Sequence, residues 1–322
     1  MSINRRRNLF GNCLISFIIL FLISAFVLTL KTQRINAQGF AALTIIPPKF
    51  ELFGNPGDTI NEKIRVRNES DQAVTYSVVV EDFTTTGEEG QVILEEGDTV
   101  SSFSLAKWIE TSSKDLIFQP KEEKSINFII NIPKNAEPGG HYASILFQAG
   151  DDAQLEGGGA QVAHRVGSLI LLRVSGNVTE NAVIEEFSTP KYLEKGPVDF
   201  MLRLKNEGNT HISPQGTIVI TDIFGKKVDE VPLEGRNVLP GATRKMDTNW
   251  TKNNILGNYT ATLIATYGQN KLPLTASVRF TVVPKLILII IGIGLFGLIG
   301  FISTLFFGRK RIGKVLQVIF RG

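Results

Sequence analysis

From Phe40 to Val283 the chain alternates apolar and polar residues with a period of two, and no long helical period interrupts it. This pattern constrains the fold more than any other feature. Successive side chains of a strand point to opposite faces, so a half-buried strand must alternate in kind. In "TYSVVVEDF" (75–83), Tyr76, Val78 and Val80 share one face while Ser77 and Glu81 share the other. "SINFIINIP" groups Ile126, Phe128, Ile130 and Ile132, and "VDFMLRLKN" groups Val198, Phe200, Leu202 and Leu204. "YTATLIATY" and "ASVRFTVV" do the same with Tyr259, Ala261 and Leu263, then Val278, Phe280 and Val282. Turn signals stand between the runs: "NPGD" at 55, "TGEEG" at 86, "EPGG" at 137 and "LPG" at 239. Many short strands punctuated in this way predict an all-β body of antiparallel sandwiches.

The two ends of the 322-residue chain depart from the pattern. Arg5, Arg6 and Arg7 precede an uncharged apolar run from Cys13 to Leu30, the form of a secretory signal, with Ala37 as its cleavage position and an uncleaved anchor as the alternative. At the other end Leu286 to Phe307 runs 22 residues without a charge, long enough to span a hydrocarbon core of ~30 Å. Arg309, Lys310, Arg311, Lys314 and Arg321 follow it, and basic flanks are retained on the cytoplasmic side. The expected topology is a single-pass plasma-membrane protein with an extracellular body and a basic cytoplasmic tail. In that tail Ile312, Val315, Leu316, Ile319 and Phe320 form a helical stripe suited to the inner membrane face.

With the ends set aside, the charge changes sign. Ten of the 34 basic residues lie in the two ends, so the body carries about 24 against all 31 acidic ones, which argues against nucleic acid or anionic lipid as its main partner. The only cysteine, Cys13, lies in the signal segment, so the body has no disulfide and must be held by its core.

"RVRNES" (65–70) is echoed as "RLKNEG" (203–208), and each is followed in the same order by a Pro-containing turn and a Gly-x-Tyr strand, "GHYASIL" (140–146) and "GNYTATL" (257–263). The body therefore reads as an internal duplication. Asn68 and Asn206 are expected to bond their own turns, and Tyr142 and Tyr259 to return their hydroxyls to the backbone as in a tyrosine corner. Arg65 to Tyr142 spans 77 residues and Arg203 to Tyr259 spans 56, so the first copy carries 21 extra, assigned to 84–115 with its acidic hairpin and Trp108. The expected organisation is a signal segment (1–38), a first sandwich (39–180), a second (181–284), a transmembrane helix (285–307) and a tail (308–322).

No arrangement of catalytic chemistry emerges. His141, His164 and His211 lack ligand spacing, and "EGGGAQ" (156–161) lacks the Lys-Ser/Thr of a phosphate loop. The acidic cluster of Glu88, Glu89, Glu95, Glu96 and Asp98, like Asp151 and Asp152, has no calcium-loop spacing. "LPLTA" (272–276) is similar to a sortase signal but continues directly as an alternating strand. No metal or cofactor is expected, and the chain is read as a non-enzyme.

"FELFGNPGDTINEKIRVRNESDQAVTYSVVVEDF" (50–83), the hairpin at 87–90 and "IPKNAEPGGHYASILF" (132–147) resemble the WxL-interacting surface proteins of Gram-positive bacteria, in motif over the first domain and in architecture over the second. More distantly, these segments are similar to the immunoglobulin-like modules of pilus chaperones. The resemblance implies two tandem immunoglobulin-like β-sandwiches, with cell-wall polymer (peptidoglycan) on the first and a host or partner protein on the second. The expected function is a membrane-anchored extracellular binding or scaffold protein for cell-wall polymer or a partner surface protein. A tethered assembly chaperone for a secreted subunit is the alternative, and a wall hydrolase a further one. Sheet edges or the distal loops of the first domain are the expected contact, with Trp108, Glu88, Glu89, Glu95 and Glu96 as the candidate surface.

Overall fold

The computed structural model describes residues 43–95, 101–149 and 165–319, with side chains to Ser303. The signal segment, Glu96, Asp98, Asp151, Asp152, His164 and the glycine run at 156–161 lie outside the described residues.

The first half of the body forms β1 (Leu43–Ile46), β2 (Lys49–Gly54), β3 (Thr59–Asn68), β4 (Val74–Thr86), β5 (Gln91–Glu95), β6 (Ile109–Thr111), β7 (Asp115–Phe118), β8 (Glu123–Asn131), β9 (Gly139–Ala149) and β10 (Arg165–Val174). The second half forms β11 (Ala182–Ser188), β12 (Tyr192–Leu193), β13 (Val198–Asn206), β14 (Gln215–Asp222), β15 (Lys227–Leu233), β16 (Thr243–Trp250), β17 (Gly257–Tyr267) and β18 (Leu272–Val282). The apolar C-terminal run is α1 (Lys285–Ile319).

The duplication extends to the topology. Strands β1-β3-β8 form one sheet of the first sandwich as β11-β13-β16 do in the second; β2-β10-β9-β4-β5 form the other, as β12-β18-β17-β14-β15 do. Even the parallel pairing of β2 with β10 recurs as β12 with β18. The first copy adds β6 on β8 and β7 on β4. One part of the insertion reading is corrected here: hairpin β4–β5 has a counterpart in β14–β15, so it belongs to the repeated unit. The surplus lies in the stretch holding the Trp108 turn, β6 and β7.

Cross-sheet packing follows the alternation. Phe50 on β2 meets Phe128 on β8 edge to face at 5.3 Å. In the second sandwich Phe200 on β13 meets Phe280 on β18 at 5.8 Å, and Trp250 on β16 meets Tyr259 on β17 at 5.7 Å. The fully buried rings among these, such as Phe128, Phe200 and Phe280, contribute roughly 2–3 kcal/mol each, and Tyr259 is only partly buried. "LPLTA" lies inside β18, paired with β17 along its length.

Both echoed asparagines are fully buried. Asn68 donates through Nδ2 to Gln72 O (2.8 Å) and Gln119 O (3.0 Å), and its Oδ1 accepts from Ser70 N at 2.9 Å. Asn206 repeats the set with Thr210 O (2.7 Å), Val238 O (2.8 Å) and Gly208 N (2.9 Å). One amide thus closes its own turn and pins that turn to the Pro-containing turn of the neighbouring strand, where Lys121 and Gly241 occupy the same left-handed position (φ 59° and 75°).

Strand β18 ends at Val282 and α1 begins at Lys285. Its Lys285–Ser303 segment has mean hydropathy 2.8 with no residue buried against the protein, long and apolar enough to cross a membrane. The backbone continues helical to Ile319, so Ile312, Val315, Leu316 and Ile319 of the tail belong to the same uninterrupted helix, while Phe320 lies outside the described residues.

Replacing Asn206 by Ala strands the buried Thr210 O and the Gly208 N–H and leaves Val238 O with the Ile212 amide alone, and chemical denaturation is expected to show a loss of about 2–4 kcal/mol. Asn206→Asp is expected to destabilise as well, because a carboxylate would face two carbonyl oxygens.

Candidate functional site

Of the side chains singled out in the sequence, Glu88, Glu89, Trp108 and Tyr142 lie at the end of the first sandwich that faces the second. Strand β4 outruns its pairing with β9 and turns at 87–90 into β5, with Gly87 (φ 62°) and Gly90 (φ 66°) supplying left-handed conformations. The tip lands on the second sandwich. Arg203 donates to the Glu88 carboxylate through Nε (2.8 Å) and Nη2 (2.5 Å), in a bidentate fork. The Lys245 amide donates to Glu88 O at 2.8 Å, and the Lys245 ammonium lies 3.7 Å from Glu89. Strand β16 is an edge of its sheet, so the tip covers part of an edge as well as pairing a charge. Glu185 (3.3 Å) and Glu186 (3.9 Å) also face Arg203. The hydrogen bonds from Arg203 hold the Glu88 carboxyl below its usual range, and the carboxylate that accepts them pushes the guanidinium up.

This corrects the expectation that the acidic hairpin belongs to the distal loops. Glu88 and Glu89 are engaged within the chain. Glu95 ends β5 opposite Asp82.

Trp108 sits on a short 3-10 turn, Ala106–Trp108, that Asp82 of β4 organises. Its carboxylate accepts from the amides of Leu105 (2.8 Å) and Ala106 (2.7 Å) and from the Ser104 hydroxyl. The indole is half-buried, 4.4 Å from the His141 ring. His141 is itself buried, with Nδ1 3.0 Å from Ser104 O and Nε2 2.9 Å from Glu137 O. Trp108 is therefore seated in the first sandwich rather than standing free. Asp82 and His141 are the residues that hold it, and the local sequence signals neither.

The two tyrosines of the echo behave differently. Tyr259 donates to Leu256 O at 3.0 Å, a return to the backbone within its own corner. Tyr142 makes no such return. It packs with Phe83, Leu171 and, from the second sandwich, Leu239. Its ring lies edge-on to His211 at 5.7 Å, and burial pushes its phenol up.

Around that cluster the joint is polar. Asn209, three residues past Asn206, donates to Pro138 O (3.1 Å) and Asn177 O (3.2 Å), while Gly140 N donates to Asn209 O at 2.8 Å. Gly139 there has φ 130°, and a Cβ would come 2.5 Å from Asn209 O. Arg173 pairs with Glu180, which also accepts from Gln269 N at 3.0 Å, tying β10 to the β17–β18 turn. Burial works against the Glu180 charge, yet these donors keep its carboxyl below the usual range. Asn237 donates to Glu51 at 2.8 Å. Burial in this joint brings His211 down to about 4, against the pull of Glu51.

Among the described residues no group of three or more His, Cys, Asp or Glu side chains could hold a metal ion. Chemically, the arrangement joins two sandwiches through ion pairs, backbone bonds and an apolar contact.

No family model matches the chain, and no curated protein matches it in sequence. Among solved structures it is similar to the Class 5 fimbriae chaperone CfaA, at 13% identity over 76% of this chain and 100% of that one, with a TM-score of 0.37. The Salmonella enterica complex of SafA pilin with the SafB chaperone gives 10%, 75%, 97% and 0.35. The CsuC-CsuE chaperone-tip adhesion subunit pre-assembly complex of Acinetobacter baumannii gives 12%, 64%, 90% and 0.35. By its own strand order the described body is a tandem β-sandwich followed by one apolar helix.

The joint has a pH signature. The folded-state pKa of His211 lies below its unfolded value, near 6.5, so its contribution is present above that value and is lost as pH falls toward 4. Denaturation series are expected to lose up to about 3 kcal/mol over that window, and His211→Leu to flatten the loss. Separately, Arg203→Met is expected to speed hydrogen exchange at the Lys245 amide while leaving amides of β9 and β10 protected.

Proposed function

We propose that the chain is a non-catalytic, membrane-anchored surface protein whose first sandwich captures a segment of an extracellular partner protein on the open edge of β5. One contrast between the copies carries this reading. Strand β15, the counterpart edge, bears Lys227, Asp229, Glu230 and Pro232, which discourage strand addition. Strand β5 reads Gln-Val-Ile-Leu-Glu, and among the described residues it pairs only with β4. Val92 and Ile93 point to opposite faces and are each 44% exposed. A strand with one bare edge and apolar side chains on both faces suits β-augmentation, in which main-chain bonds give affinity and alternate side chains give specificity. Because Glu88 pins the hairpin tip, the edge is presented in one orientation. That lowers the ordering cost of capture.

The helix Lys285–Ser303 supplies the anchor, and the basic residues after it orient the body outward. Cell-wall polymer is the ligand that the resemblance implies, and it competes with a protein partner in the test. Full-length protein in nanodiscs is exposed to extracellular surface proteins and, separately, to purified peptidoglycan. Val92→Lys combined with Ile93→Lys is expected to cut protein capture tenfold or more, with folding unchanged by circular dichroism. Capture of peptidoglycan alone, insensitive to those changes, would move the function away from β5. Release of the protein once it has folded would point instead to a tethered assembly chaperone.

A further inference from the structure

Phe224 is 87% exposed and Ile223 beside it 64%, in the turn between β14 and β15. This turn is built, not loose. Asp222 Oδ1 accepts from Phe224 N (2.9 Å) and Lys226 N (3.0 Å), Gly225 N donates to Asp222 O at 3.0 Å, and Gly225 takes φ 78°. An apolar pair held out on a rigid support calls for an occupant.

The register shows which end of the sandwich this is. Asp222 pairs with Tyr259, which pairs with Phe280. Ile223 and Phe224 therefore extend to the level of Thr281 and Val282, where β18 leaves the sheet for α1. Two strand spacings separate β14 from β18, roughly 10 Å. On the other flank Tyr192, 73% exposed, pairs with Thr281, and Leu256, 56% exposed, precedes Gly257 opposite Val282. Two loops and the short strand β12 thus bring apolar side chains to the end at which the helix departs. Basic residues stand among them. Lys191 lies 5.9 Å from the Tyr192 ring, and Lys195 and Lys226 are exposed. The acidic groups nearby are engaged: Glu194 pairs with Lys285, Glu230 with Lys227, and Asp222 closes its own turn.

The duplication adds an independent argument. The β4–β5 tip of the first copy is polar and rests on the next body along the chain, the second sandwich. The β14–β15 tip is its counterpart, and the next body along the chain is whatever surrounds α1.

We infer that this end of the second sandwich docks on the lipid headgroup layer of the membrane that α1 spans, with Ile223 and Phe224 entering the interface and Lys195 and Lys226 against headgroup phosphates. The inference rests on reading α1 as a membrane span. Only Val283 and Pro284 separate β18 from α1, so the sandwich end has little room to lift away. Docking fixes the tilt of the body, and with it the height at which β5 is offered.

The test uses full-length protein carrying Cys13→Ser, reconstituted in vesicles of phosphatidylcholine with phosphatidylglycerol, and labelled with an environment-sensitive fluorophore at one introduced cysteine. Ile223→Cys reports the tip, Leu298→Cys the helix and Lys63→Cys the first sandwich. Lipid-borne quenchers are expected to quench the Leu298 label deeply, the Ile223 label at headgroup depth and the Lys63 label not at all. Phe224→Asp is expected to reduce quenching at the Ile223 label at least threefold while sparing Leu298. Vesicles without phosphatidylglycerol are expected to weaken it less. A quenched Leu298 label with an Ile223 label no different from Lys63 overturns the docking and leaves the span intact. An unquenched Leu298 label overturns the span itself, and the docking with it.

Discussion

The buried amide of Asn206 is the contact on which the arrangement of the body depends. Its bonds to Thr210 O, Val238 O and Gly208 N give the segment after β13 a single shape. That segment carries Asn209 and His211, which meet Pro138, Gly140 and Tyr142 of the first sandwich. A fully satisfied buried polar group specifies one geometry in a way an apolar contact does not, because every alternative strands a donor or an acceptor. Asn68 closes the matching turn of the first copy, at the end of the sandwich away from the joint.

The copies share a scaffold and differ in what their ends touch. Hairpin β4–β5 reaches the second sandwich with Gly-Glu-Glu-Gly at its tip, whereas β14–β15 carries Ile-Phe-Gly-Lys. Tyr259 stays in its corner while Tyr142 turns into the joint. In the first copy both features lie at the contact with the second sandwich, while the core is shared. The stretch that holds the Trp108 turn, β6 and β7 thickens the first sandwich alone, with Asp82 and His141 keeping it seated.

Legibility in the sequence follows the range of each interaction. Alternation is a local property, and the strands around Phe128, Phe200 and Phe280 could be read from a few residues each. The bond from Ser70 N to Asn68 Oδ1 spans two positions, so its residue types announce it. Glu88 and Arg203 stand 115 positions apart, and nothing near either names the other. Without its partner an acidic hairpin reads as solvated surface, which is why Glu88 and Glu89 look like a site for another molecule. Asp82 illustrates the same limit within one domain. It interrupts an alternating strand with a charge, and its purpose lies 22 to 24 residues further on.

The route from joint to helix has a mechanical meaning. The second sandwich receives the chain at the start of β11 in its three-stranded sheet and releases it at the end of β18 in its five-stranded sheet. Tension between a captured partner and an anchored helix would pull these strands in opposite directions along their lengths. Strand β18 meets β17 through eleven successive register pairs, from Gly257 with Val282 to Tyr267 with Leu272. Loaded in this direction those pairs bear the load together, as a sheared seam, instead of opening one after another like a zip. In the role proposed above, the sandwich nearest the helix would transmit such a pull without unravelling.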